Sequence, residues 1–285
     1  MAALAKGTIA VPNGEFPLTW EDFHRIASLV HGESGIVLTE GKVNLVYSRL
    51  AKRLRAIGLR NFRDYCGLVH SPDGADERQA MICALTTNVT RFFREDHHFK
   101  YLHDVLCPQF RRTLDAGGRV RIWSAACSSG EEPYSAALTI LRAIPDAAQR
   151  DILILATDLD GDILARGEAG VYPAERLMDI PVEYRGGVER SSHDSGFSFS
   201  PAIRTMIRFK ELNLLSDWPI RNKFDLIFCR NVMIYFDDET QSRIWARFAQ
   251  QMTPDASLCI GHSERVGNEH PFELVGQTIY RRRSA

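Results

Sequence analysis
What this sequence lacks removes several classes of protein. It has no excess of either charge: 35 Lys and Arg stand against 36 Asp and Glu, a net charge of −1. No global field therefore favours nucleic acid. It has no apolar run of membrane-spanning length, and residues 1–10 lack the apolar core of a secretory leader. Its six cysteines (Cys66, Cys83, Cys107, Cys127, Cys229 and Cys259) form no C-x-x-C pair. They read as reduced thiols of a cytoplasmic protein with no metal site. After its first strand-like segment it also lacks G-x-G-x-x-G, the glycine pattern that a dinucleotide pyrophosphate requires.

What is present instead is a strand–turn–helix joint. Val120, Ile122 and Trp123 read as the first strand of a parallel sheet, residues 125–130 as a tight turn of small residues, and Glu132 with Pro133 as a helix opening. Taken alone, such a joint is often purely structural. It also points backbone N–H groups into a crevice and lets a ligand approach the main chain. Ile152–Asp158 follows as a second buried strand ending in an acid, where ribose hydroxyls find an acceptor. With one glycine, Gly130, in the turn, the ligand that fits has a ribose and no pyrophosphate. S-adenosylmethionine is the commonest such cofactor.

A length of 285 residues suggests about two domains. Residues 1–15 are expected to form a disordered tail, and residues 16–85 a small helical domain. Thr19 caps its first helix with Asp22 three positions on, Phe23, Ile26, Ala27 and Val30 face inward, and Gly32 and Gly35 end it. Over residues 42–57 a second helix places Val43, Val46, Tyr47, Leu50, Leu54 and Ile57 on one stripe, with Lys42, Arg49 and Arg53 opposite and Lys52 beside them. Seven basic residues and no acidic one lie between Lys42 and Arg63. That run is either a solvated face or a docking face for an acidic partner. A third helix carries Phe62, Tyr65, Leu68 and Val69, and a fourth spans residues 77–85.

Residues 86–100 read as a linker rich in helix caps, and its paired aromatics Phe92 and Phe93 are suited to lie over a cofactor. His97 and His98 pack or cap the linker helix. The remainder, residues 101–285, alternates strands and helices. Strands are expected at residues 152–158, 211–215, 224–231, 257–260 and, antiparallel, 272–281. The fold class is α/β, a doubly wound Rossmann-like sheet. A small β hairpin insertion is expected over about residues 184–210, where Phe197 and Phe199, then Met206, Ile207 and Phe209, alternate with polar residues. In such sheets ligands bind beyond the strand C-termini, where Glu132, Asp158, Asn213 and Asn231 converge.

The segments Asn88-x-Thr90-x-Phe92-Phe93-Arg94-Glu95, residues 126–135 (ACSSGEEPYS), residues 228–236 (FCRNVMIYF) and residues 261–264 (GHSE) resemble the CheR chemoreceptor methyltransferases. The likeness runs from about Leu18 to Tyr280. It implies S-adenosylmethionine-dependent methyl esterification of glutamate side chains on the cytoplasmic helices of chemotaxis receptors, with S-adenosylhomocysteine as product. It also implies roles. Asn88, Thr90 and Arg94 touch the cofactor from the linker, Glu132 and Asp158 are acids of its pocket, Asn213 and Leu214 form the adenine side, and Arg230 and Asn231 end the fourth strand. Arg94 and Tyr235 are the catalytic pair. Arg49, Lys52, Arg53 and Arg55 resemble the receptor-docking helix. The insertion resembles a subdomain that in some members grips a receptor C-terminal peptide, although residues 184–201 match least.

The acceptor carboxylate, with an ordinary pKa of about 4.3, is ionised at neutral pH and needs no general base. Two rivals stand beside this reading. One is a non-catalytic S-adenosylmethionine or S-adenosylhomocysteine sensor on the same fold. The other is a methyltransferase for a small molecule or RNA, the latter disfavoured by the balanced charge.

Overall fold
A computed structural model describes residues 7, 9, 14–190 and 196–283, so eleven of the fifteen residues of the expected tail lie outside the described residues. The chain forms two compact units. One comprises residues up to Thr87 together with Tyr235–Asp237, and the other comprises Asn88–Ile234 and Asp238 onward.

The smaller unit is helical. Thr19 and Asp22 exchange side chain and backbone hydrogen bonds as a capping box and start α1 (Trp20–Ser34). Gly35, at φ +72°, closes it, and Gly32 stays inside the helix. In α2 (Val43–Ile57), Val46, Tyr47, Leu50, Ala51 and Leu54 are buried, and Ile57 is exposed one turn beyond the stripe. α3 (Phe62–His70) and α4 (Ala75–Leu85) complete the layer. The Val37 N–H donates to the Tyr235 carbonyl at 2.8 Å, and His31 meets Asp237 at 2.8 Å, which explains why that short segment belongs to this unit.

The larger unit begins with α5 (His97–Tyr101), which runs through a π turn (Leu102–Leu106) into α6 (Cys107–Asp115). Then come β1 (Val120–Ala125), α7 (Glu131–Ala143), β2 (Ile152–Asp158), α8 (Gly161–Ala169), β3 (Val171–Tyr172), β4 (Val188–Arg190), β5 (Phe197–Phe199), α9 (Pro201–Arg204), β6 (Ile207–Glu211), β7 (Phe224–Cys229), α10 (Asp238–Gln251), β8 (Met252–Ile260), β9 (Phe272–Gly276) and β10 (Ile279–Arg282). The main sheet has the order β6-β2-β1-β7-β8-β10-β9, parallel from β6 to β8 and antiparallel at β10 and β9. The order reverses direction at β1 and β7, so the crevice of a doubly wound sheet opens there. Helices cover both faces, which is why β1 and β7 are apolar on successive residues and not on alternate ones.

Three expectations change. Ile207–Glu211 pairs in parallel with β2 as the edge of the main sheet, so it is not part of the insertion. The insertion is a three-stranded antiparallel sheet, β3-β5-β4, which recruits Val171 and Tyr172 from well before residue 184. An edge strand and a hairpin strand share the same period-two pattern, so alternation alone could not separate them. The paired aromatics also find a different place. Phe92 packs against Tyr172, Phe197 and Phe199 at centroid distances of 4.9 to 5.9 Å, and Phe93 against Phe99 and Tyr184 at 5.1 and 4.7 Å. Both are core rings and not a lid.

Gly130 sits between β1 and α7 at φ +95°, where a Cβ would lie 3.0 Å from the Gly167 Cα and 3.0 Å from the Tyr172 hydroxyl. Gly130→Ala is therefore expected to lower stability by about 1–3 kcal/mol, measured by urea unfolding. An unchanged midpoint would show that the turn has slack.

Candidate active site
The strands that flank the crevice end at one level, since Ala125 pairs with Thr157 of β2 on one side and with Cys229 of β7 on the other. The β1–α7 turn, Asp158 and the pair Arg230 and Asn231 therefore emerge side by side. Five of the seven non-glycine residues with positive φ among the described residues belong to this end of the sheet or to the linker: Phe93, Glu95, Ala126, Ser128 and Asn231. Left-handed backbone at ordinary residues concentrates where a site must be shaped against local preference.

Asp158 anchors the turn. Its Oδ2 accepts the Ser128 N–H at 2.8 Å and its Oδ1 the Asp160 N–H at 3.1 Å. Burial raises its pKa against the pull of these donors. These partners, with the Leu159 backbone N–H beside them, are donors, so the ionised form is the one they favour. Asn88 ties the linker in: its Nδ2 donates to Asp160 Oδ2 at 3.1 Å and its carbonyl accepts from Ser128 Oγ at 3.0 Å. Asp160 also caps α8 through the N–H groups of Asp162 and Ile163. Thr90 lies half-buried two residues on.

A second knot centres on Arg230, only 3% exposed. Its Nη1 meets Glu132 Oε2 at 3.0 Å, its Nη2 donates to the Arg94 carbonyl, and Nη2 lies 3.6 Å from Glu95 Oε2. Glu132, 11% exposed, also accepts from Ser124 Oγ at 2.6 Å. Burial raises the Glu132 pKa, and Arg230 and Ser124 oppose that rise. Burial acts in the same sense on Glu95, but Arg230 and the His262 hydrogen bonds outweigh it and hold that carboxyl below the ordinary range. Both Nη atoms of Arg230 thus face protein acceptors and hold the acids in place, and its buried Nε has no hydrogen-bond partner among the described residues. The Arg94 side chain, half-buried, donates from Nη1 to the Val89 carbonyl at 3.0 Å.

Asn213 and Leu214 follow β6. Asn213 Oδ1 accepts the Leu215 N–H at 2.9 Å, and the Leu214 carbonyl is taken by Trp218 Nε1 and Arg247 Nη1 at 3.2 and 2.8 Å. The Leu214 carbonyl is therefore taken within the protein, so a ligand there would meet the side chain or the N–H. All nine expected cofactor residues lie in the larger unit, and Tyr235 clusters with the helical one, where Lys42 Nζ stands 5.8 Å from its ring centroid.

The basic helix is partly neutralised within its own unit. Arg49 donates to the Ala84 and Thr86 carbonyls and to Thr87. Arg53 forms a two-point pair with Glu77 at 3.0 and 2.6 Å, and Arg55 meets Glu15 at 2.8 Å. Lys52 is exposed. The acids that balance this run come from elsewhere in the sequence, so the local charge count could not reveal them.

The sequence reading gave no role to Glu95, Ser128, Asp160 or Glu264. The visible signals were the acid that closes the linker motif, the acid just before the helix at Gly161 and the GHSE run. Among the described residues one trio, Glu95, His97 and His98, brings ligand-type atoms within 4.8 Å of one another. The Arg230 cation already faces the Glu95 oxygen there.

Residues 88–281 match the family described as "CheR methyltransferase, SAM binding domain", and residues 21–86 match "CheR methyltransferase, all-alpha domain". The chain belongs to the CheR methyltransferase family. Its cofactor is S-adenosylmethionine, and it is an enzyme of methyl transfer. A probable chemotaxis protein methyltransferase of Rhizobium etli is 48% identical over 89% of this chain and 96% of its own. Chemotaxis protein methyltransferase 2 of Pseudomonas aeruginosa is 41% identical over 94% and 95%. The chemotaxis protein methyltransferase of Escherichia coli is 41% identical over 90% and 89%.

In this CheR member the chemistry of the crevice suits the cofactor. Asp158 brings carboxyl oxygens that can accept from hydroxyls, and Glu132 places a second carboxyl group on the same side of the crevice.

His98 is fully buried beside Arg230, His97 and Glu95, with Nε2 3.0 Å from Thr278 Oγ1. Burial, then the charges of Arg230 and His97, push its pKa down to about 2. It is neutral when folded, but the unfolded chain protonates it below about pH 6.5. Its contribution to stability is therefore lost as pH falls from 6.5, by up to about 1.4 kcal/mol per pH unit. Urea unfolding between pH 7 and 5 should give a shallower slope for His98→Asn than for the wild type. Equal slopes would mean that the folded protein carries the imidazolium.

Proposed function
We propose that this enzyme methylates glutamate side chains on the cytoplasmic helices of chemotaxis receptors, forming methyl esters in the cytoplasm. The convergence of Asn88, Glu132, Asp158, Asn213 and Asn231 at the strand ends of a CheR chain carries the reading. No helix among the described residues is long and apolar enough to cross a membrane.

S-adenosylmethionine supplies an electrophilic sulfonium methyl, so that its transfer to a carboxylate joins anion and cation into neutral products. Charge disappears in the transition state, and a site that excludes water therefore helps. The protein's main task is alignment, worth up to roughly 7–11 kcal/mol in the best model systems. In this reading Asp158 takes the ribose hydroxyls, Glu132 faces the positive end, Leu214 covers the adenine, and Asn88, Thr90 and Asn231 complete the grip. A cation held against the attacking carboxylate would stabilise the ground state more than the transition state. Arg94 is accordingly assigned to the cofactor's own carboxylate or to orienting the acceptor. Tyr235 is kept as the second catalytic candidate on the strength of the resemblance of residues 228–236, and turnover is its test. Lys52, with Arg60 and Arg63, remains as the docking face for an acidic receptor helix, Arg55 can join it by exchanging its exposed Glu15 partner, and Arg49 and Arg53 shape that face from within.

Incubation with methyl-labelled cofactor and receptor cytoplasmic fragments should yield label in base-labile esters. Cofactor binding without transfer would favour a sensor instead. Arg94→Ala should weaken S-adenosylhomocysteine binding about tenfold by calorimetry, and Tyr235→Phe should lower the methylation rate with smaller loss of affinity. If both variants bind and turn over like the wild type, these two assignments fail.

A further inference from the structure
Between the exits of β7 and β8 lies a carboxylate that the reaction does not use. Glu264, 5% exposed, follows β8 in the turn after Gly261. Its Oε2 accepts the N–H groups of Gly261 and Asn231, the latter at 3.0 Å, and its Oε1 accepts those of Val232 and Met233 at 2.9 and 2.8 Å. Four backbone donors thus close on one side chain that comes from a different strand exit than three of them. Every partner is a donor, so only an ionised carboxylate satisfies the set. An amide would turn an N–H against an N–H. Bonds from backbone N–H to a buried anion are among the strong ones, and an empty nest would leave buried donors unpaired.

The clamp acts on one conformation. Asn231 leaves β7 at φ +60°, and the chain then turns through the 3-10 helix Met233–Tyr235. Gly261 has no room for a side chain: a Cβ would lie 2.6 Å from Asn231 Nδ2, 2.7 Å from Glu264 Oε2 and 2.8 Å from the Asn231 nitrogen. The two strand exits are therefore packed backbone to backbone around the carboxylate. The Asn231 amide group rests directly against Gly261, so a shift of the clamp moves it.

We propose that Glu264 is a positioning residue of this enzyme, a buried anion that holds Asn231 in its left-handed conformation and thereby sets the affinity for the cofactor. This rests on the reading of Asn231 as a cofactor contact. The test is a double-mutant cycle with Glu264→Gln and Asn231→Ala, titrated with S-adenosylhomocysteine by calorimetry well below the melting temperature of each variant. Each single change should weaken binding about tenfold. The double variant should bind within about twofold of Asn231→Ala, because Glu264 then has nothing left to position. A merely structural role would lower the melting temperature and leave the affinity of the folded protein unchanged. Should Glu264→Gln fail to fold, Glu264→Asp keeps the charge and carries the same cycle, with a smaller loss that again vanishes beside Asn231→Ala. Wild-type affinity in Asn231→Ala would sink the site reading itself. A loss in Asn231→Ala with wild-type affinity for the Glu264 variant, or two losses that multiply, would sink the positioning role alone.

Discussion

The ion cluster around Arg230 is the constraint on which the crevice depends. Three parts of the chain meet there: the linker through Glu95 and the Arg94 carbonyl, the first turn of α7 through Glu132, and the end of β7 through Arg230 itself. Burying an ion pair is costly, and its net contribution to stability is often small. Losing one partner is different, because an uncompensated buried charge costs about 3–5 kcal/mol. The cluster therefore acts as a geometric lock whose members stand or fall together. It explains why acids persist at the strand ends without repelling one another.

That lock also shapes the electrostatics of methyl transfer. Burial raises the pKa of both Glu132 and Asp158, their hydrogen-bond donors oppose that rise, and the Arg230 cation is shared by Glu132 and Glu95. The crevice thus presents hydrogen-bond acceptors at the strand ends, which suit a ribose better than a phosphate. Strain is placed accordingly. Ala126, Ser128 and Asn231 adopt left-handed backbone at the strand ends, and the hydrogen bonds that the Ser128 and Asn231 N–H groups donate to Asp158 and Glu264 offset the cost at those two residues.

The helical unit follows the same logic of charge matched from a distance. Along α2 the cations form an unbroken basic run in sequence, but Glu77 from α4 takes Arg53 and also accepts the Tyr65 hydroxyl at 2.8 Å. The carbonyls at the end of α4 take Arg49. The exposed charge is smaller than the run suggests and is concentrated on Lys52 and the residues after it.

Local physics made much of this legible in advance. The Thr19 and Asp22 box, the apolar strands at residues 120–125 and 152–158, the turn at Gly130 and the acid at the tip of the second strand each depend on neighbours in sequence. Their spacing announced them, and the family motifs joined them into one crevice. What spacing could not carry was partnership across the fold. Whether Ile207–Glu211 lay in the insertion or at the sheet edge, whether Phe92 and Phe93 covered a ligand or filled a core, which acids Arg230 met, and what Glu264 held were decided by tertiary packing. A charge or a ring shows its chemistry in sequence. The partner that fixes its use arrives from tens or hundreds of residues away, and only the folded chain brings the two within reach.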